Sequence, residues 1–560
     1  MHTPFDAIVI GSGITGGWAA KELTERGLKV LMIERGRHIE HRRDYTTETR
    51  APWEMQFHGF GDRALYQRDY AVQSRQRDFN EFTQGHFVND RENPYQTDPD
   101  APFAWIRAYQ LGGRSLVWGR QCYRWSDLDF EANQRDGHGS DWPIRYRDLA
   151  PWYDHVESFI GVSGSKEGLP QLPDGVFQPP MALGVVEAHA KRAIESSMAD
   201  RKLIIGRVAN LTEPKEGRAP CQYRSICGRG CSYGAYFSTQ SATLPAARAT
   251  GNLTLLTDQV VERIEVDPRT RRATGVRAFD TRTRSGHTYT ARMVFLCAGA
   301  FNSVGVLLRS ASAEHPNGLA NGSGVLGRYI MDHANGLAAV GPVPGFEAHT
   351  TFGNRPTGII VPRFRNVTTR DERFLRGYSY QGGAFQRSWT RGQGAAGLGA
   401  DFKAQLRGPG PWMFAFVAFA ECLPRAENRI TLDAQAKDAA GLAQLRIRLQ
   451  YGENEHAALT DAGAEAERMI AAMGGRAVFS FREMPTPGMS IHEMGGARMG
   501  ADPAQSVLDR HNRAHEVQNL FVTDGAAMAS AACQNPSLTY MALTARAAEF
   551  AATEFKAGRL

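Results

Sequence analysis

Cys221, Cys227 and Cys231 stand within eleven residues of one another in the run CQYRSICGRGCSYGAYFSTQS. Thiolates at that density suit a metal ion or a cluster, and Gly228 and Gly230 let the backbone wrap closely around a small site. A tetrahedral structural zinc wants a fourth ligand, which no nearby His or Cys supplies, whereas a three-iron cluster needs only three. Buried free thiols or one disulfide are the alternative. The remaining cysteines, Cys122, Cys297, Cys422 and Cys533, sit in apolar or motif contexts and read as inert packing thiols. Seven cysteines are an odd number in 560 residues, so a disulfide framework explains them poorly.

A second constellation lies near the first residues. Gly11, Gly13 and Gly16 in GSGITG follow the apolar run FDAIVI and open a helix-like stretch, and Glu34 ends the next apolar run, 21 residues after Gly13. Such glycines give a tight turn, a close backbone approach to a pyrophosphate and close helix packing, while the acid accepts ribose hydroxyls. This strand, turn, helix and strand unit predicts dinucleotide binding.

The positioning elements show in the hydrophobic pattern. LTLLTDQVVERIEVD reads as paired strands with a turn at Asp267 and Pro268, and ARMVFLCAGAFNSVGVLLRS as a strand entering a helix through a glycine. Residues 37–107 and the Pro/Gly-rich segment 163–180 read as excursions from the sheet. Between residues 349 and 483, TGIIVPRF, WMFAFVAFAECL, RITLDA and QLRIRLQY alternate with Gly-rich loops such as RGQGAAGLGA and predict an antiparallel sheet. HAALTDAGAEAERMIAAMG then predicts a helix, and the last seventy residues return to strand, turn and helix.

Composition sets outer limits. At 42% hydrophobic and 22% charged residues the chain belongs with ordinary globular proteins, and its length predicts two closely packed domains or one large elaborated one. A net charge of +6 without blocks of like charge argues against a nucleic-acid partner. No apolar run reaches the ~18 residues that span a bilayer, so direct membrane insertion is not expected. The first residues lack a signal-peptide pattern.

The C-terminal end narrows the cofactor. NLFVTDGAAM with Asp524 and Gly525, NPSLTYMALTARAAE from Asn535, HEMGGARMG from His492, and LGGRS at residues 111–115 resemble the glucose-methanol-choline (GMC) oxidoreductases. CAGAFNSVGVLL, from Cys297, resembles that family's second signature. The matches run from residue 6 to residue 550. The resemblance implies an α/β, GMC-type two-domain fold: a Rossmann-like FAD-binding domain and a substrate domain with an antiparallel sheet backed by helices. The expected FAD-binding segments are residues 1–45, 106–125, 221–335 and 488–560. Residues 46–105, 126–220 and 336–487 would form the substrate domain and excursions, with the cysteine segment 221–235 at the junction. Flavin contacts are expected from Gly11, Gly13, Ile14, Thr15, Gly16, Glu34, Arg35, Gly112, Gly113 and Ser115. Further contacts are expected from Val260, Val261, Ala298, Asp524, Gly525, Asn535 and Pro536. The family often carries an Asn or His near the flavin after its GGxS turn. Here Val117, Trp118 and Gly119 stand instead, which leaves the ring contacts and any covalent flavin link open.

Taken bare, a histidine in a Gly/Met-rich loop reads as a turn or core residue. By resemblance, His492 and Asn535 match the family's catalytic His and its His-or-Asn partner. Oxidising an alcohol removes a proton from oxygen and a hydride from carbon. A neutral imidazole suits the proton, flavin N5 takes the hydride, and Asn535 would hold the oxygen in register. Some GMC sugar dehydrogenases that work with a small subunit and a cytochrome carry a [3Fe-4S] cluster on a similar cysteine spacing. The resemblance therefore implies cluster ligation by Cys221, Cys227 and Cys231, electron exit to an external acceptor, and a small subunit with cytochrome c as partners. Such relatives are often exported with a signal-bearing partner, which gives a periplasmic expectation with the cytoplasm as alternative. LGGRSLVWGRQCYRWSDLDFEA and DWPIRYRDLAPWY look most like the glucoside 3-dehydrogenases, implying a sugar or glucoside substrate, with Gln110, Trp118 and Gln121 as pocket candidates. The rivals are a sugar oxidase of the pyranose-oxidase kind, another GMC alcohol dehydrogenase without a cluster, and a flavin-containing lyase.

Overall fold

The computed structural model describes residues 5–560 except 352, 354, 394 and 482. Residues 1–4 of the first expected segment and Gly394 of the RGQGAAGLGA loop thus lie outside the described residues. A seven-stranded sheet carries the N-terminal glycine turn. Its parallel part runs Leu253–Leu256, Val30–Ile33, Phe5–Ile10 and Gly286–Leu296 in spatial order. Val30–Ile33, most of Phe5–Ile10 and residues 293–296 are apolar and buried, as expected where helices cover both faces of a parallel sheet, while Leu253–Leu256 at the edge is only partly buried. The Gly286–Leu296 strand divides its pairing. Residues 286–290 pair antiparallel with Arg272–Asp280, which continues to Gln259–Asp267, whereas residues 294–296 pair in parallel with Leu520–Val522. The divided strand therefore brings the C-terminal segment beside the N-terminal one. Helices Ile14–Glu25 and Ser537–Lys556 pack together on this sheet.

A second, antiparallel sheet of six strands has the order Phe479–Ser480, Ala334–Pro342, Trp412–Ala420, Tyr378–Gln386, Ile359–Val361 and Ile204–Ile205. Side chains alternate across it. Tyr378, Tyr380, Phe414 and Phe416 share one face, where the Tyr380 hydroxyl donates to the Ala462 carbonyl (2.7 Å) of helix Glu453–Ala472. The register places Gln381 opposite Val417 and Phe419 opposite Asn335 on the other face. That face looks into the cavity described below.

Two expectations are corrected. LTLLTDQVVERIEVD forms strands Leu253–Leu256 and Gln259–Asp267, but these stand at opposite edges of the seven-stranded sheet, and the second pairs with Arg272–Asp280. RITLDA and QLRIRLQY do form strands, Arg429–Lys437 and Ala443–Arg448, but these pair with each other and with Gln96–Thr97 in a separate three-stranded sheet. Alternation of side chains predicts a strand and leaves its partner open. No helix among the described residues is long and apolar enough to cross a membrane.

Candidate active site

A cavity of about 860 Å³ lies between the two larger sheets. At its N-terminal wall Gly11 adopts φ +92, and a Cβ there would stand 2.5 Å from the Cys297 carbonyl oxygen. A Cβ at Gly16 would stand 2.8 Å from the Gly11 carbonyl carbon and nearer still to its oxygen, so only glycine lets the helix start abut the turn. At Gly13 a Cβ would meet nothing within 4 Å, because this position faces open space. That is the cradle a dinucleotide pyrophosphate needs at a helix N-terminus.

The other expected cofactor contacts fall into two groups. Gly11, Gly13, Ile14 and Thr15 line the cavity at the turn, and Glu34 and Arg35 line it at the end of the neighbouring strand. Gly113, Ser115, Val260, Val261 and Ala298 line it further on, followed by Asp524, Gly525, Asn535 and Pro536. Gly16 and Gly112 do not line it and serve packing instead. Gly112, at φ +86, lies under the Gln240 amide and donates its N–H to Ser12 Oγ (2.8 Å).

Two buried carboxylates hold this wall together. Glu34 Oε2 accepts from Ser12 N (3.1 Å) and Ser12 Oγ (2.5 Å), and Oε1 accepts from Gly36 N (2.8 Å). Burial raises its carboxyl while those bonds oppose the rise. Three acceptor directions are used, which leaves roughly one of a carboxylate's four for an incoming hydroxyl. Asp524 joins distant segments: Oδ2 accepts from Gly299 N (2.9 Å) and Ser303 Oγ (2.5 Å), and Oδ1 from Ala526 N (3.0 Å). Burial pushes it up to about 6.

At the other end of the cavity, Asn535 Nδ2 lies 3.1 Å from His492 Nε2. Asn535 comes from the turn before helix Ser537–Lys556, and its Oδ1 accepts from Gln381 Nε2 (2.5 Å) of the antiparallel sheet. His492 follows Ile491, whose φ of +62 is an outlier for a β-branched residue. The loop is pinned from below by Asp332, which accepts from Gly488 N (2.7 Å), His492 N (3.0 Å) and the Ser490 hydroxyl. Burial raises Asp332 to about 6. Next to it, His333 Nδ1 lies 2.8 Å from His492 Nδ1. Burial, with His333 and Arg114 nearby, lowers His492 well below the ordinary imidazole range, so its ring is neutral at physiological pH. Arg114 forks onto Glu493 (2.9 and 2.5 Å), tying the LGGRS turn to the histidine loop.

Of the pocket candidates, Trp118 and Gln121 line the cavity, with Trp118 Nε1 donating to the Phe237 carbonyl (2.8 Å). Gln110 does not, since its buried amide donates to the Gly113 carbonyl (3.2 Å). Val117 and Gly119 are also wall residues. Sequence reasoning missed Asp332, His333, Gln381, Asn335 and Phe419. The only local signal was the polar pair Asp332 and His333 interrupting an apolar run.

The cysteines differ from the cluster expectation. All seven are free thiols, and no group of three or more His, Cys, Asp or Glu side chains is placed to hold a metal among the described residues. Left-handed backbone at Tyr223 (φ +54) and Ser225 (φ +63) turns the segment between Cys221 and Cys227. Cys221 Sγ accepts from Tyr223 N (3.4 Å), Arg224 lies 3.8 Å from Cys231 Sγ, and Cys227 lines the cavity. Cys227 and Cys231 lie near enough to Cys221 to help raise its thiol, but the three sulfurs are not placed as a metal-holding set among the described residues.

Known proteins align with this architecture. The chain is similar to 2-methyl-1,2-propanediol dehydrogenase of Mycolicibacterium austroafricanum, at 29% identity over 98% of this chain and 95% of that one. A shorter stretch resembles the C-glycoside 3-oxidase of Arthrobacter globiformis, at 33% identity over 24% of this chain and 26% of that one. The fold is like that of a formate oxidase of Aspergillus oryzae, with a TM-score of 0.63 and 13% identity over 99% of each chain. Residues 5–335 match the N-terminal GMC oxidoreductase domain and residues 424–544 the C-terminal one. Glycine cradle, divided sheet and histidine loop thus stand within a known frame, and the chain belongs to the GMC oxidoreductase family.

Proposed function

We propose that this chain is an FAD-dependent dehydrogenase that oxidises a sugar secondary hydroxyl, the 3-hydroxyl of a glucoside, to the 3-keto product. The observation that carries the reading is the His492–Asn535 pair, Nε2 to Nδ2 at 3.1 Å, in the wall of the cavity that the glycine cradle also lines. FAD, when bound, supplies the acceptor for the hydride that leaves carbon. His492 Nε2 takes the hydroxyl proton, and burial keeps that ring neutral and ready to accept it. Asn535 Nδ2 donates to the same oxygen and fixes its distance from the base.

A sugar substrate is supported by the cavity lining, where Gln381, Asn335 and Phe419 of the antiparallel sheet stand with Trp118 and Gln121 of the segment after the LGGRS turn. Amides meet hydroxyls and rings meet the apolar CH faces of a pyranose. The partial likeness to the C-glycoside 3-oxidase supports position 3. A second reading, oxidation of a small diol, is favoured by the full-length similarity to 2-methyl-1,2-propanediol dehydrogenase.

Anaerobic mixing with a panel of glucosides and small diols decides between them. The proposal expects glucosides to bleach the flavin rapidly and NMR to place the product ketone at C3. Bleaching by diols alone would move the assignment to the second reading. Rapid peroxide formation in air would make the protein an oxidase. Iron and sulfide analysis of the same sample tests the three-cysteine cluster and a route to a small subunit and cytochrome.

A further inference from the structure

We propose that His333 is the positioning residue that sets the tautomer of His492, and thereby decides which imidazole nitrogen meets the substrate hydroxyl as a base. The proposal rests on the reading of His492 as that base.

His333 is fully buried at the head of strand Ala334–Pro342. Its Nε2 lies 3.2 Å from the Ala531 carbonyl oxygen and 3.1 Å from that of Ala532. Carbonyl oxygens only accept, so Nε2 carries the hydrogen. A neutral imidazole has one N–H, and burial lowers His333 to about 4, so the ring is neutral and its Nδ1 is a bare lone pair. That lone pair stands 2.8 Å from His492 Nδ1. Of two nitrogens at this distance one must donate, and His333 has nothing to give. His492 therefore carries its proton on Nδ1, and its Nε2 is left unprotonated toward Asn535 and the cavity.

The surroundings keep this arrangement from relaxing. The two rings meet edge to face with centroids 4.9 Å apart, and Phe419 packs against both. The Tyr451 hydroxyl donates to the His333 carbonyl (2.8 Å). Ala532 and Ile491 hold φ of +53 and +62, and such backbone persists where its neighbours over-determine it. In serine hydrolases a carboxylate orients the histidine and also stabilises its protonated form. A neutral imidazole performs the first task and adds no charge.

Two substitutions separate the roles of the His333 nitrogens. His333→Asn can set its Oδ1 where Nδ1 stands and keep an acceptor for His492. His333→Gln reaches the Ala531 and Ala532 carbonyls and offers no acceptor at the Nδ1 position. The expected flavin reduction rate with a reactive glucoside is within about tenfold of the parent for His333→Asn. For His333→Gln the rate falls about 100-fold or more, where a catalytic histidine held fully in the wrong tautomer loses about 10⁴-fold. KM and FAD content should be unchanged in both. Nitrogen-15 NMR of histidine-labelled parent protein should show His492 protonated at Nδ1, a readout that needs no variant to fold. Equal rates for the two variants, or a parent His492 protonated at Nε2, would overturn the proposal. If His492→Ala reduces flavin at the parent rate, the base assignment fails while the NMR result still decides the tautomer.

Discussion

Gly13 and Gly16 belong to one turn and should respond oppositely to the same added methyl group. At Gly16 the new carbon would stand 2.8 Å from the Gly11 carbonyl carbon, where non-bonded carbons rest at about 3.5–4.0 Å. The helix start must move by roughly 1 Å, and overpacking of that kind costs about 1–3 kcal/mol. Gly16→Ala therefore lowers the unfolding temperature of the apoprotein by on the order of a few degrees. At Gly13 the backbone has φ −63 and ψ −164, at the edge of the extended region and on the side of φ that alanine takes, and its Cβ meets nothing. Gly13→Ala should leave the apoprotein unharmed or stabilise it by about 0.4–1 kcal/mol through the unfolded chain. The methyl then occupies the space through which the pyrophosphate approaches the backbone. Losing a hydrogen bond to a charged group costs about 1.5–3 kcal/mol, or roughly 10- to 150-fold in the Kd for FAD. Thermal unfolding of the two apoproteins, with FAD titration followed by flavin fluorescence, reads both effects. Equal thermal losses in the two variants, or parent-like FAD affinity in Gly13→Ala, would refute the reasoning.

Two further outcomes follow from the residues behind the histidine loop. Asp332, raised to about 6 from an ordinary 3.8, binds its proton more tightly when folded, so its contribution to stability is full below about 4 and lost as pH rises through 6. Asp332→Asn leaves a buried N–H facing its amide at a cost of about 1–3 kcal/mol, and this penalty should shrink by about 1 kcal/mol between pH 5 and pH 7 in chemical denaturation. A pH-independent penalty would contradict the assignment. Gln381→Leu frees the Asn535 amide to turn and should slow flavin reduction about tenfold with FAD content unchanged. A parent-like rate would show that Asn535 is held by other contacts.

The legible and the hidden parts of this protein divide by the range of the interactions involved. Strand Phe5–Ile10, the glycine turn and Glu34 could be read directly, because apolar runs, glycine spacing and an acid at the strand end are local consequences of one unit. His492 and Asn535 came through family resemblance, since nothing in a Gly/Met-rich loop distinguishes a working histidine from a packed one. Asp332 and His333 reach the same place from the residues just before strand Ala334–Pro342 and Gln381 from strand Tyr378–Gln386, and their meeting depends on register that no local window contains. The cysteine segment shows the reverse failure. Three thiols in eleven residues suggested a ligand set, and Cys221 does feel both other thiols, yet no three such side chains are placed to hold a metal among the described residues. The strands at residues 429–448 were recognised by alternation and misassigned to a sheet for the same reason of register.

The measurement that bears most directly on the account is the anaerobic rate of flavin reduction by a reactive glucoside in His492→Ala. General-base catalysis by a placed side chain is worth about 10²–10⁴-fold. The account predicts a loss of that size with FAD still bound in full, because the His492 side chain bonds Asn535 and His333 and none of the cradle residues. Flavin bleaching at the parent rate would contradict it.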